Sequence, residues 1–489
     1  MQFIGVDLGS TNMKAAVYDE SLKCLASASA PVVYDRSGSR VEFIAENYFR
    51  SLVSVLKSLT EKEGVIASEI AGMSFTGQAE TLVVLDKEGK PLMSAISWMD
   101  ERSKEECQEL EQIFSPEECE QVTGQMAVLP TWPATKILWI KKHRPEIYEK
   151  VGTYMLLKDY IVYCLTGKML ADRSIATFSF YFDIYKKCYW KKMMDAVGID
   201  EAQLPPLVEP CTDAGVLLDE IAEDTGLPKT LMVNVGTLDH FAGMIGTGNV
   251  DFGGVSLSTG TVMALATMAH KPEGGQRYGI AMHYGFVPDT YVMLPVAESG
   301  GVSLEWFKRS CMPNTDYDQL NAELAKRQLP NSLIFLPYLV GTNAPEFDTD
   351  ASGTFMGLRQ EHDAYDMAAA VMEGVAFLLR KNCDSIKEAG SDIKYIIATG
   401  GGAKSAIWCQ MQADITGLPV IVPRETEAAC LGAAMVAAVI GGRYESYAAA
   451  AEIANGAART YEPRQIPEYD HKYQKFCKLY EAVLAVTRL

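Results

Sequence analysis

Positive charge is what this chain is short of: 44 Lys and Arg face 63 Asp and Glu, a formal net charge of −19. Extended nucleic-acid or anionic-membrane surfaces need clustered cations, so no nucleic-acid and no membrane partner is expected. A small anion remains allowed, because backbone amides at a tight turn or helix start bind phosphate whatever the global charge. Long apolar runs are also missing, as is a basic segment ahead of an apolar one at the start. Neither a transmembrane helix nor a signal peptide is therefore expected, and the cytoplasm is the default compartment. The eleven cysteines contain no CxxC pair and no metal-ligand spacing. An odd number cannot close into a complete intramolecular disulfide set, so reduced thiols, mostly in the core, are expected.

What is present is apolar material throughout, 48% hydrophobic residues in 489. That length predicts two large lobes or three smaller units, and two lobes can hold a cleft between them. The opening segment alternates QFIGVD, GSTN, MKAAVYD, ESLK and CLASAS, short strands joined by tight turns. Tyr48, Leu52, Val55, Leu56 and Leu59 then recur at helical spacing before the strand EIAGMSF. The vocabulary returns in GGVSLSTGTVMALAT, in the helical spacing of Met367, Ala370, Val371, Gly374, Val375 and Leu378, and in the strand IKYIIAT. The chain thus reads as two versions of one α/β plan, with the boundary in the glycine-rich stretch GTGNVDFGG and lobes at 1–250 and 251–489. LPTWPATKILWIKKHRP reads as a loop feeding a helix.

Three turns carry candidate chemistry. In VDLGSTNMK, Asp7 ends a strand and is followed by Gly9, Ser10, Thr11 and Asn12, small residues that let amides and hydroxyls converge on an oxyanion. An acid beside such a turn suits magnesium, which binds carboxylate and phosphate oxygens together, although a hairpin whose Asp caps its own turn has the same letters. Ser258, Thr259, Gly260 and Thr261 repeat the pattern, so the two turns could clamp the β- and γ-phosphates of ATP from opposite lobes. In ATGGGAKS a strand runs into Gly400, Gly401 and Gly402. This is not a Walker A loop, since Ala403 stands where that motif demands glycine.

With VDLGSTNMK, TGQAET, WMDER, TKILWI, KDYIVYCLTG, GTLDH, STGT, GGVSLEW, FLPYLVGTNAP, GTFMGL, TGGGAKS and EAACLGAAMVAA in that order, the chain resembles the FGGY carbohydrate kinases nearly end to end. The resemblance implies a duplicated two-lobe, actin-like (ribonuclease H-like) α/β ATPase fold with an interlobe cleft. It implies ATP and Mg2+ as cofactors and a small sugar or polyol as partner, with a homodimer left as the oligomeric option. It makes Asp239 the catalytic base, Asp7 and Asp239 the metal residues, and Gly9, Ser10, Thr11, Lys14, Ser258, Thr259, Gly260, Thr261, Gly301, Gly401, Gly402 and Ala403 the nucleotide contacts. Gln78, Glu80, Trp98, Asp100, Asp239 and His240 fall where the family meets substrate, whereas Arg102 reads as a structural ion-pair partner.

TGQAET keeps the glutamate seen in glycerol kinases but has Ala79 where those have arginine, and it lacks the Met-His pair usual in xylulokinases. Phosphorylation of a ketopentose is the first expectation, with a polyol or sugar acid (glycerol, erythritol or gluconate-like) as the alternative. A non-catalytic, ATP-gated actin-like module is the alternative from another class.

Overall fold

The run Gln2–Leu8 is apolar at nearly every position, as a strand covered on both faces requires, and it lies at the centre of a six-stranded sheet. The structure, a computed structural model, describes residues 1–272, 275, 278–424, 427–455 and 459–489. Strands Asn12–Asp19 and Cys24–Pro31 continue from Gln2–Leu8 as an antiparallel meander. On the other side Ile70–Gly77 and Met232–Leu238 join in parallel, and Asp213–Val216 closes the edge antiparallel. Helix Ala45–Thr60 covers one face with Tyr48, Leu52, Val55, Leu56 and Leu59, the stripe its sequence spacing predicts.

The second half repeats this order. Gly254–Thr259 is the central strand, Met263–Ala269, Tyr291–Met293 and Met282–Tyr284 form its antiparallel side, and Tyr395–Gly400 and Val420–Val422 add in parallel. Arg459–Tyr461 closes the edge antiparallel. Helix Ala364–Glu388 is started by a capping box between Asp363 and Asp366, and its buried stripe covers this sheet. All eleven cysteines are thiols outside any disulfide.

The helices do not respect the division drawn by the sheets. Helix Ala428–Ile440, from the second half of the chain, packs on the first sheet and on helix Asp239–Thr247. A Cβ added at Gly5 would lie 1.9 Å from the Cys430 carbonyl oxygen, and one at Gly432 would lie 1.8 Å from that of Ala242. Only hydrogen side chains permit backbones this close. The seam matters because both helices start at the cleft: Asp239 opens one and Glu427 precedes the other.

Candidate active site

Two cavities adjoin where strands Gly254–Thr259 and Tyr395–Gly400 end side by side, Thr259 opposite Gly400. One, about 390 Å³, is bordered by Asp7, Asp239, His240, Ser258, Gly400 and Glu427. The other, about 420 Å³, is bordered by Thr259, Gly260, Thr261, Gly301, Gly401 and Gly402, with Tyr317, Asn321 and Lys404 on its far wall. Residues 258 and 259 are strand neighbours and project to opposite sides, so one strand end serves both spaces.

Asp7 is supplied by the end of the first central strand, and its carboxyl is pushed up to about 7. Burial is the main cause; the charges of Asp239 and Glu427 add to it, and Lys14 offsets part. Lys14 is held by Glu427 at 2.8 Å. Three carboxyls thus face one ammonium, an excess of negative charge that a divalent cation would relieve. Among the described residues no group of three or more His, Cys, Asp or Glu could by itself hold a metal ion. Asp7 and Asp239 border the same cavity, and a pair of carboxyls suits magnesium, which takes one or two carboxylates together with waters and phosphate oxygens.

Asp239 is the first residue of helix Asp239–Thr247, and its Oδ1 accepts the His240 backbone N–H at 2.6 Å. This contact fixes the orientation of the carboxylate at the helix start, while the His240 side chain lies exposed at the cavity rim. In the second cavity the Gly260–Thr261 turn is tied to the start of helix Gly301–Cys311. Gly301 N donates to the Gly260 carbonyl at 2.7 Å and Val302 N to that of Thr261 at 3.3 Å. A Cβ at Gly402 would lie 2.8 Å from that of Thr259, so glycine there keeps the turn low over the strand end. The positive end of the helix and the open turn suit an anionic phosphate chain.

The first turn, Gly9 to Thr11, stands next to Asp7, with Thr11 exposed and Gly9 and Ser10 half-buried. The Gly9 carbonyl accepts from Tyr48 Oη at 3.2 Å and Gln78 Nε2 at 3.3 Å. Gln78 also accepts from the Thr81 hydroxyl at 2.8 Å and is only 5% exposed. One N–H and the oxygen of its amide are thus engaged by neighbours, which braces the turn at Gly9. Thr81 Oγ1 in turn accepts from Trp98 N at 3.1 Å, and Trp98 leaves its indole 40% exposed. Glu80 has the left-handed φ of 55° beside it, and buried Lys136 donates to the carbonyls of Glu80 and Ser97 at 3.1 and 2.9 Å. Burial raises the Glu80 carboxyl; Lys136 opposes this and the Asp239 charge adds to it.

Asp100 is engaged in the same way. It is wholly buried; Oδ1 accepts from Arg102 N and Nε at 3.0 and 2.8 Å, and Oδ2 from Val41 N and Arg102 Nη2 at 2.6 and 2.7 Å. Both oxygens have protein partners, so Asp100 anchors the loop bearing Trp98. Arg102 also reaches Glu42 at 2.6 Å, the ion-pair role expected of it. Ala403, next to Gly402, packs its methyl group against the core of the second lobe. Glu427, Tyr317, Asn321 and Lys404 were not singled out from sequence. Only Glu427 carried a signal, an acid immediately before the small-residue helix; Asn321 joins through a 2.7 Å bond from Ser405 Oγ that no spacing reveals.

Residues 2–246 match the N-terminal domain, and residues 255–440 the C-terminal domain, of the FGGY family of carbohydrate kinases. A xylulose kinase from Bacillus subtilis is 30% identical over 99% of this chain and 97% of its own. One from Lactococcus lactis is 31% identical over 98% and 96%. Among solved structures, a xyloylose kinase from Brucella ovis superposes with a TM-score of 0.91 at 28% identity, covering 99% of this chain and 100% of that one. A gluconate kinase from Lactobacillus acidophilus gives 0.89 at 26%, covering 99% and 98%. The chain belongs to the FGGY family of carbohydrate kinases and has its actin-like two-domain ATPase fold. It is a sugar kinase, a phosphotransferase of a family whose members take phosphate from ATP. A non-catalytic reading is thereby displaced.

Proposed function

We propose that this kinase transfers the terminal phosphate of ATP to a hydroxyl of a ketopentose such as xylulose, with Asp239 as the general base. The observation that carries the reading is the shared border of Asp7, Asp239 and Ser258 on one cavity, joined at Thr259 to the space lined by Gly401 and Gly402. The glycine-lined cavity would take the nucleotide, with Thr259, Gly260, Thr261 and Gly301 nearest its phosphates. Gly9, Ser10, Thr11 and Lys14 would approach the terminal phosphate from the first lobe. Glu80, Trp98 and His240 would surround the sugar, the indole walling one face of its carbon chain.

Magnesium held by Asp7 and Asp239 would neutralise charge on the phosphates. The hydroxyl of the sugar attacks in line, and Asp239 accepts its proton late, when the attacking oxygen has become acidic. An ordinary carboxylate suffices for that, because positioning and charge neutralisation supply most of the acceleration.

A neutral acceptor is favoured over a sugar acid. The Asp239 carboxylate borders the cavity and the Lys136 amine is committed to two carbonyls, so an anionic substrate would meet repulsion that Lys136 does not offset. A cytoplasmic place for such metabolism belongs to the proposal; among the described residues no helix is long and apolar enough to cross a membrane. ADP release measured across D- and L-xylulose, other ketopentoses, erythritol, glycerol and gluconate tests the reading. The highest kcat/KM is expected on a ketopentose; fastest turnover of gluconate, or none on any member, would overturn it.

A further inference from the structure

The strand that delivers Asp239 is not regular. Met232–Leu238 runs parallel to Ile70–Gly77, but its register shifts between Asn234 and Thr237. Gly236 sits in the shift at φ 72°, and a Cβ there would lie 1.6 Å from the Phe75 carbonyl oxygen, so the bulge requires glycine. A bulge frees backbone groups from the ladder, and buried ones need other partners. Val235 N donates to the Thr212 carbonyl at 2.9 Å, the Gly236 carbonyl accepts from Cys211 N at 2.8 Å, and Gly236 N donates to Asn234 Oδ1 at 2.8 Å.

The remaining group, the Val235 carbonyl, accepts from Lys158 Nζ at 2.7 Å. Lys158 is wholly buried and lies 2.9 Å from Asp159 and 3.3 Å from Asp172. Asp172 caps the short helix Arg173–Ala176 and accepts from Ser174 Oγ at 2.8 Å. That same hydroxyl lies 2.9 Å from Thr237 Oγ1. A polar circuit therefore leaves the strand at Val235, runs through Lys158, Asp172 and Ser174, and returns at Thr237, with the bulge between its two ends. Two residues later comes Asp239.

Such a circuit is a costly way to gain stability. An ion cluster removed from water is often replaceable by apolar side chains without loss, so its retention under one strand asks for another reason. Catalytic groups must be held to within about half an ångström, and this is done by buried partners that lock the residues beneath them. We infer that Lys158, Asp172, Ser174 and Thr237 are positioning residues for Asp239: by pinning both flanks of the bulge they set where its carboxylate points. The inference rests on the reading of Asp239 as the base.

Thr237→Val, close to isosteric, and Ser174→Ala each remove the Ser174–Thr237 link while leaving the Lys158 ion cluster paired. Steady-state kinetics on the full chain with its best sugar, beside thermal midpoints, is the test. Each variant is expected to lower kcat about 10- to 100-fold, the cost of a misplacement near 1 Å. The KM for ATP and the thermal midpoint should stay near wild type, and Thr237→Ser, which keeps the hydroxyl, should recover most of kcat. Wild-type kcat in both deletion variants, with Asp239→Asn inactive, would overturn the positioning role and leave the base intact. Loss of kcat shared equally by Thr237→Ser, or accompanied by a raised KM for ATP, would mark general disruption and would also overturn it. Turnover surviving in Asp239→Asn would remove both readings.

Discussion

Replacing Asp7 by Asn should make the protein more stable as it makes it inactive, and the gain should grow with pH. The Asp7 carboxyl is held from its ordinary 3.8 up to about 7, by burial first and then by Asp239 and Glu427. A folded-state value above the unfolded one means the native state binds the proton more tightly. Its contribution is therefore complete below about 4 and is lost as pH rises through about 7. At about 1.4 kcal/mol per tenfold change in proton affinity, the full span corresponds to about 4 kcal/mol. Asp7 borders an open cavity, so solvent screening reduces this to roughly 2 kcal/mol. For a lobe of some 250 residues that is a rise of about 4–8 °C in Tm. The assay is thermal unfolding of wild type and Asp7→Asn without nucleotide and with chelator, at pH 5 and pH 8. The variant's advantage should be larger at pH 8, and Mg2+ should narrow it by stabilising the wild type alone. An advantage that is negative, or equal at both pH values, would refute the electrostatic reasoning.

Gly432→Val should push the two cleft-directed helices apart, because the new side chain starts 1.8 Å from the Ala242 carbonyl oxygen; a loss of at least about 3 kcal/mol in denaturant unfolding is expected. Arg102→Met should cost about 3–5 kcal/mol by leaving Asp100 buried and unpaired, whereas the folded fraction of Asp100→Asn should keep the wild-type KM for sugar. Trp98→Ala should do the reverse, raising that KM about tenfold through loss of apolar contact while Tm barely moves.

The sequence made the turns visible because they are local. Gly9 to Thr11 and Ser258 to Thr261 each sit between two short apolar runs, and strand-turn-strand is written in adjacent residues. The helix at 45–60 was legible from its apolar spacing, and the role proposed for Asp239 comes from the resemblance carried by GTLDH and its companion motifs. Other features depend on partners far along the chain. Lysine is ordinarily solvent-exposed, so nothing in TKILWI or KDYIVYCLTG announces that Lys136 and Lys158 are fully buried against carbonyls. That both oxygens of Asp100 are held by Arg102 and Val41 is likewise hidden, because an exposed and a hydrogen-bonded carboxylate share one letter. The contacts of the Gln78 amide with Gly9 and Thr81 are hidden for the same reason. Gly236 did leave a trace: a lone glycine inside an apolar strand, in NVGTLDH, signals a bulge or a close backbone approach. That helix Ala428–Ile440 returns to the first lobe follows from packing between Gly5, Gly246 and Gly432, which no periodicity within one segment encodes.

The most direct test of the whole account is Asp239→Asn, assayed by ADP release on the preferred sugar alongside calorimetric titration with MgATP. Removing the base should lower kcat about 100- to 10,000-fold while ATP affinity stays near wild type. Near-wild-type turnover would contradict the mechanism, and a large loss of MgATP binding would make holding metal, not accepting the proton, the main task of the residue.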